Sequence, residues 1–201
     1  MSFYQVFLND DVLCGKCRKS LIRVNRWIQV GSMKVYAYYV FDETMSKIFH
    51  QYKEAHDQVL GLIFLHPISC FDKRFNGKTI VCIPSSDEKI QERGFLTLNK
   101  ILEGSKLPQI EVLHKEGTSK QSLRTAVQRT QVQDEIVLYA PLLAEDKELM
   151  LFDDIVTTGS TMAASYKKLS SIARSLTCVC IAIHPIFLEK SQKASVFYRK
   201  K

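Results

Sequence analysis

The 201-residue chain has no apolar run near the length a bilayer demands, so a membrane-spanning helix is not expected. Its first residues lack the charged, apolar and small-residue order of a signal peptide, and a cytoplasmic protein is the expectation. Six cysteines without an export signal make disulfides a poor reading. Cys82, Cys178 and Cys180 sit in apolar, strand-like runs and read as small core residues; Cys70 has no evident role. Neither a G-x-x-x-x-G-K-[ST] loop nor a G-x-G-x-x-G turn occurs, which removes the two commonest nucleotide-binding signatures. Internal repeats and low-complexity segments are missing too.

What is present is an ordinary globular composition. Apolar residues make up 46% and charged residues 24%, enough for one domain with a real core and a small appendage. The formal charge is +7, which favours an anionic partner or is simply a solvated basic surface.

Residues 1–33 are short, mixed and basic, and read as a small N-terminal module; residues 34–201 read as the main domain. "VYAYYVF" at 35–41 has strand composition. One or two helices follow up to Pro67, capped by Asp42 or Thr44, with Met45, Ile48, Phe49 and Tyr52 at helical spacing. Strands are expected at 79–83, 109–115, 135–141, 148–152 and 176–184, and helices at 88–103, 119–131 and 160–174. Strands alternating with helices predict an α/β fold with a mostly parallel sheet and helices on both faces. Ligands in such sheets sit at the carboxyl ends of the strands.

"LMLFDDIVTTGST", residues 149–161, lies at such an end. Asp153 and Asp154 offer carboxylate acceptors that suit vicinal sugar hydroxyls, and one can also meet a divalent cation. Small residues then lead into a helix: Ile155, Val156, Thr157, Thr158, Gly159, Ser160 and Thr161. Free N–H groups and hydroxyls there can cradle a phosphate dianion. A sugar 5-phosphate fits both halves. The alternative is a turn followed by a plain helix cap.

The stretch resembles the phosphoribosyl-pyrophosphate (PRPP) motif of type I phosphoribosyltransferases. "CGKCRKSL", "FHQYKEAHD" at 49–57, "IPSSDEKIQERGF" at 83–95 and "KQSLRTAVQR" at 120–129 come in the order of the ComF (ComFC) family of bacterial competence proteins. That family resembles an amidophosphoribosyltransferase core behind an N-terminal zinc knuckle. The resemblance implies that Asp153 and Asp154 meet the ribose hydroxyls and that 157–161 hold the 5-phosphate. It implies pyrophosphate contacts from Ser85 and Ser86, which otherwise only cap a helix, and from Arg93, which otherwise decorates one. Lys115 and Lys120 would belong to a mobile loop closing on PRPP, or to a solvated helix face.

Departures from the family pattern are specific. Leu96 and Thr97 follow Phe95 where RGFNQ is usual. Lys53 and Asp57 keep the lysine and aspartate of a K-Y-R-G-D pattern, but His56 replaces its glycine; Gln121 and Arg129 remain, while Val132 stands where an asparagine is expected. Cys14 and Cys17 form one knuckle pair, whereas structural zinc takes four ligands. Zn2+ is expected only with a second pair upstream.

The function so implied is a ComF-like competence protein handling incoming single-stranded DNA, with a PRPP site served by Mg2+. Basic Lys120, Arg124 and Arg129 would meet the nucleic acid, and Tyr4, Trp27, Tyr36, Tyr38 and Tyr39 either stack on bases or fill the core. The family implies two partners, the ComFA helicase-like ATPase and DprA, with the protein in the cytoplasm at the inner face of the membrane. Two alternatives stay open: a metabolic phosphoribosyltransferase in base or nucleotide salvage, and a PRPP-sensing regulator. No residue announces itself as a general base.

Overall fold

A computed structural model describes residues 13, 15–116 and 135–189. A short helix, α1 (Gly15–Ser20), leads into strands β1 (Arg23–Val30) and β2 (Met33–Val40). Helix α2 (Glu43–Lys53) follows, then a 3-10 helix (Gln58–Ile63), α3 (Ile68–Arg74) and β3 (Thr79–Cys82). Helices α4 (Asp87–Arg93) and α5 (Thr97–Ile101) precede β4 (Leu113–Glu116) and β5 (Glu135–Leu138). The chain then forms β6 (Glu148–Val156), α6 (Ser160–Leu169) and β7 (Ser175–Ile183).

Five strands make one sheet in the order β1-β2-β7-β6-β3. Strands β2, β7, β6 and β3 are parallel, and β1 is an antiparallel edge. Strands β4 and β5 form a separate antiparallel ribbon. This is the expected α/β plan with a mostly parallel sheet. Strand β1 belongs to the main sheet, so the boundary expected at residue 33 falls inside the β1–β2 hairpin.

The apolar run of β6 explains its central place. Leu149, Met150, Leu151 and Phe152 are all fully buried, as a strand covered on both faces requires. Each such side chain contributes roughly 1.5–3 kcal/mol through burial. Met150 and Phe152 pack into one cluster with Met45, Phe49, Tyr52 and Phe71 from α2 and α3. Leu149 and Leu151 pack into the other with Val81, Cys178 and, from α6, Met162 and Leu169. Helix α2 buries Met45, Ile48, Phe49 and Tyr52, and Asp42 caps it by accepting from the Met45 N–H at 2.8 Å.

Three expected elements differ. The helix expected over 88–103 is two helices, because Gly94 takes a left-handed φ of 72° and closes α4 through its N–H to the Ile90 carbonyl. The 109–115 run is strand only from Leu113, with Gln109 bridging Ile80. Strand β6 does not stop at Phe152; it carries both aspartates and ends at Val156. The neighbouring strand is long enough to keep the ladder: Asp153 pairs with Cys180, Ile155 with Ala182 and Val156 with Ile183. The helix expected over 119–131 lies outside the described residues.

Candidate functional site

Strand β6 presents its two carboxylates in the last turns of the parallel sheet. The Asp153 carboxylate accepts the Asp154 N–H at 2.8 Å, and the Asp154 carboxylate accepts the Ile155 N–H at 2.7 Å. Asp154 also pairs with Lys53 at the end of α2, both side chains being about 15% exposed. The Lys53 ammonium sits 5.0 Å from the centre of the Phe49 ring, one helical turn back. Two adjacent like charges are therefore tolerated because α2 delivers a cation to one of them.

Burial pushes the Asp153 carboxyl well above the usual carboxylate range, and the Asp154 charge adds to the effect. The Asp154 N–H and Lys53 oppose it. Nearby thiols feel the same surroundings. Cys82 is pushed up to about 12 by burial, then by Asp153 and Glu111; Cys180 rises by burial and by both aspartates. With Cys178 they are inert core thiols, as their apolar setting implies.

After β6 the chain turns through an exposed hydroxyl-rich loop. Thr157, Thr158 and Ser160 are exposed, Thr161 is half-buried and Gly159 is buried. Thr158 Oγ1 and Ser160 Oγ are 2.9 Å apart, and the Ser160 N–H donates weakly to Thr158 Oγ1 at 3.4 Å. Gly159 has a left-handed φ of 78°, and a Cβ there would meet Val30 Cγ1 at 2.6 Å. Glycine is thus demanded twice at this point, by backbone and by packing. Helix α6 then begins at Ser160, and the loop faces the first free N–H groups of a ten-residue helix.

Ser86 stands at the N-cap of α4, buried, but its side chain makes no capping hydrogen bond; Ser85 is half-buried beside it. The simple-cap reading of Ser86 therefore lacks its bond. Arg93 is engaged elsewhere: its Nη2 donates to Glu54 Oε1 at 2.9 Å, and its Nε is buried without a partner among the described residues. Glu54 follows Lys53 in the chain, so one α2 terminus holds both Asp154 and Arg93. Lys115 lies half-buried on β4, paired with Ile136 of β5 in register. A cavity of about 470 Å3 opens between β3, α4 and the β4–β5 ribbon, touching Ser85, Cys82, Asp87, Asn99, Glu111 and His114. Neither aspartate lines it; the link between the two is Cys82, a lining residue whose thiol feels the Asp153 charge.

Of the remaining expectations, Cys17 is exposed on α1 and Cys14 lies outside the described residues. Among the described residues no group of three or more His, Cys, Asp and Glu is arranged to hold a metal ion. Lys120, Arg124 and Arg129 also lie outside them. Tyr36 and Tyr39 are core residues, whereas Trp27 is half exposed, edge-on to Tyr36 at 5.4 Å. No helix among the described residues is long and apolar enough to cross a membrane.

Sequence reasoning did not place Lys53 or Glu54 in the site. Lys53 carried a signal only through its resemblance to the K-Y-R-G-D pattern. His56, at that pattern's glycine, has a left-handed φ of 57°, a conformation that favours glycine.

No family model matches the chain. Competence protein ComFC of Streptococcus pneumoniae is 23% identical over 150 residues, covering 75% of this chain and 66% of that protein, just under two thirds of its length. Similar solved structures include a hypoxanthine phosphoribosyltransferase from Staphylococcus aureus, 19% identical with a TM-score of 0.36 and 62% of each chain covered. An APRTase from Giardia lamblia complexed with 9-deazaadenine is 12% identical, TM-score 0.43, over 84% of this chain and 95% of that one. An adenine phosphoribosyltransferase from Thermoanaerobacter pseudethanolicus is 14% identical, TM-score 0.40, over 84% and 98%. The chain is thus similar in sequence to ComFC over 150 residues, and its described residues form an α/β fold with a mostly parallel sheet.

Proposed function

We propose that this chain is a ComFC-like competence protein that handles incoming single-stranded DNA in natural transformation and carries a site for PRPP. The observation that carries the metabolite half is the pair Asp153 and Asp154 at the carboxyl end of β6, followed at once by the hydroxyl loop and the α6 N-terminus. Carboxylates accept from the ribose 2- and 3-hydroxyls, and Thr157, Thr158, Ser160 and Thr161 donate to the 5-phosphate. The oxygen-only donor set of the two aspartates fits magnesium, which favours one or two carboxylates plus substrate phosphates. When bound, that ion would neutralise charge on the departing pyrophosphate. Ser85 and Ser86, at the start of α4, would add N–H and hydroxyl donors to the pyrophosphate. Asp153 and Asp154 would fix the sugar while a nitrogen nucleophile displaces pyrophosphate at C1.

The DNA half rests on kinship with ComFC, the net charge of +7 and exposed Trp27. Contacts with a ComFA-type ATPase and with DprA, zinc on the Cys14–Cys17 pair, and work at the inner face of the membrane belong to the same proposal. A second reading, a salvage phosphoribosyltransferase, is favoured by the 470 Å3 cavity that shares Ser85 with the site and has room for an acceptor.

Calorimetry of PRPP with magnesium against the full chain and against Asp153→Asn/Asp154→Asn tests the site. Saturable binding lost in the variant is expected; no binding by folded wild-type protein overturns it. A parallel titration with fluorescent single-stranded DNA tests the other half. Pyrophosphate release on adding a nucleobase would select the salvage reading.

A further inference from the structure

A second cavity, of about 240 Å3, lies on the α3 side of the β1–β2 edge. Arg23, Asn25, Tyr38, His66, Cys70 and Arg74 supply its polar lining, and among the described residues no carboxylate contributes to it. Among the described residues neither arginine has an ion-pair partner. Arg74 is nevertheless held in place, its guanidinium carbon 4.8 Å from the centre of the Tyr36 ring. Tyr36 in turn sits edge-on to Tyr38 at 5.2 Å.

Tyr38 makes the cavity more than a basic surface. Its hydroxyl is buried and has no hydrogen-bond partner among the described residues. An unsatisfied buried hydroxyl is costly and uncommon, so it calls for a partner that arrives from outside the chain. Burial also raises its pKa, so the group keeps its proton and can donate. Two exposed guanidinium groups, without an ion-pair partner among the described residues, line one cavity with a buried O–H donor, a set that suits a dianion with several acceptor oxygens. Phe64, Phe71 and Tyr39 add an apolar wall.

The register separates this cavity from the aspartates. Tyr39 pairs with Ala182, and Ala182 with Ile155, so the cavity is level with the end of β6 but two strands away, about 10 Å across the sheet. We propose that it binds a phosphomonoester, with Arg23 and Arg74 holding the phosphate, Tyr38 donating to it and the apolar wall covering the ester group. The site is independent of the PRPP reading.

The test titrates phenyl phosphate and inorganic phosphate into the full chain by calorimetry, with thermal unfolding alongside. Wild-type protein is expected to bind phenyl phosphate saturably and more tightly than inorganic phosphate. Arg74→Gln should weaken binding at least tenfold and Tyr38→Phe several-fold, while Asp153→Asn/Asp154→Asn leaves it unchanged. Tyr38→Phe removes an unsatisfied group, so its free form should melt no lower than wild type and gain less on adding ligand. Absence of saturable binding, affinities within twofold of wild type in both cavity variants, or loss in the aspartate variant overturns the proposal. Equal affinity for the two phosphates overturns the ester part.

Discussion

Gly159 lies against Val30, so closely that a methyl group added to it would sit 2.6 Å from Val30 Cγ1. The contact ties the proposed phosphate loop to the edge strand of the sheet. Gly159→Ala should therefore destabilise the protein by about 2–4 kcal/mol, from left-handed backbone strain plus overpacking. Adding Val30→Ala should return only the steric share. Urea unfolding of the single and double variants measures this, and full recovery in the double would mean that the φ of 78° carries no penalty.

Lys53 neutralises Asp154 in a largely buried pair. Lys53→Met leaves that carboxylate without its cation, beside Asp153. A loss of about 1–3 kcal/mol is expected, reduced from the fully buried case by the pair's partial exposure. In a double-mutant cycle with Asp154→Asn the second change should cost much less than it does alone. Additive losses would show that the two groups do not couple.

The raised pKa of Asp153 sets a pH dependence of definite sign. A carboxyl that holds its proton more tightly when folded favours the native state at low pH. That contribution is complete below the unfolded value near 3.8 and is lost as pH rises through the folded value. Asp153→Asn should gain stability relative to wild type as pH rises from about 4, and show no trend below it. Urea midpoints of both proteins from pH 3 to 8 provide the comparison; a gap that closes with rising pH would reverse the assignment.

His56 adopts a left-handed φ of 57° while exposed. Replacing it by glycine removes the Cβ strain but adds unfolded-state freedom. The net change should be a small gain, up to about 1 kcal/mol. Thermal unfolding would reveal it, and a clear loss would mean that the imidazole makes a contact worth more than the strain.

Much of this arrangement could be read from the residues. Alternation of apolar runs with amphipathic segments anticipated the sheet and its covered faces, because burial on both sides leaves a continuous Leu-Met-Leu-Phe record. The motif at 149–161 lies, as expected, at the carboxyl end of a buried parallel strand. Its end point was misplaced because charged residues normally close a buried strand, whereas here Cys180, Ala182 and Ile183 keep pairing past them. Lys53 was hidden for a different reason. Its partner is a hundred residues away, and a helical lysine one turn from a phenylalanine looks like any solvated face. The break at Gly94 was locally visible, but the helical pattern on both sides masked it.

The ladder that runs to Val156 and Ile183 has one more consequence. The carboxylates hang from backbone that can open only when the centre of the sheet opens, so their amides should be among the slowest to exchange with deuterium. The hydroxyl loop lies outside that ladder; Gly159 packs on Val30, and Thr158 Oγ1 lies 2.9 Å from Ser160 Oγ. A sugar phosphate would thus meet one half of its receptor already set and order the other half as it binds. The entropic toll of recognition would fall on the phosphate end, and tightening the loop would raise affinity without touching either aspartate.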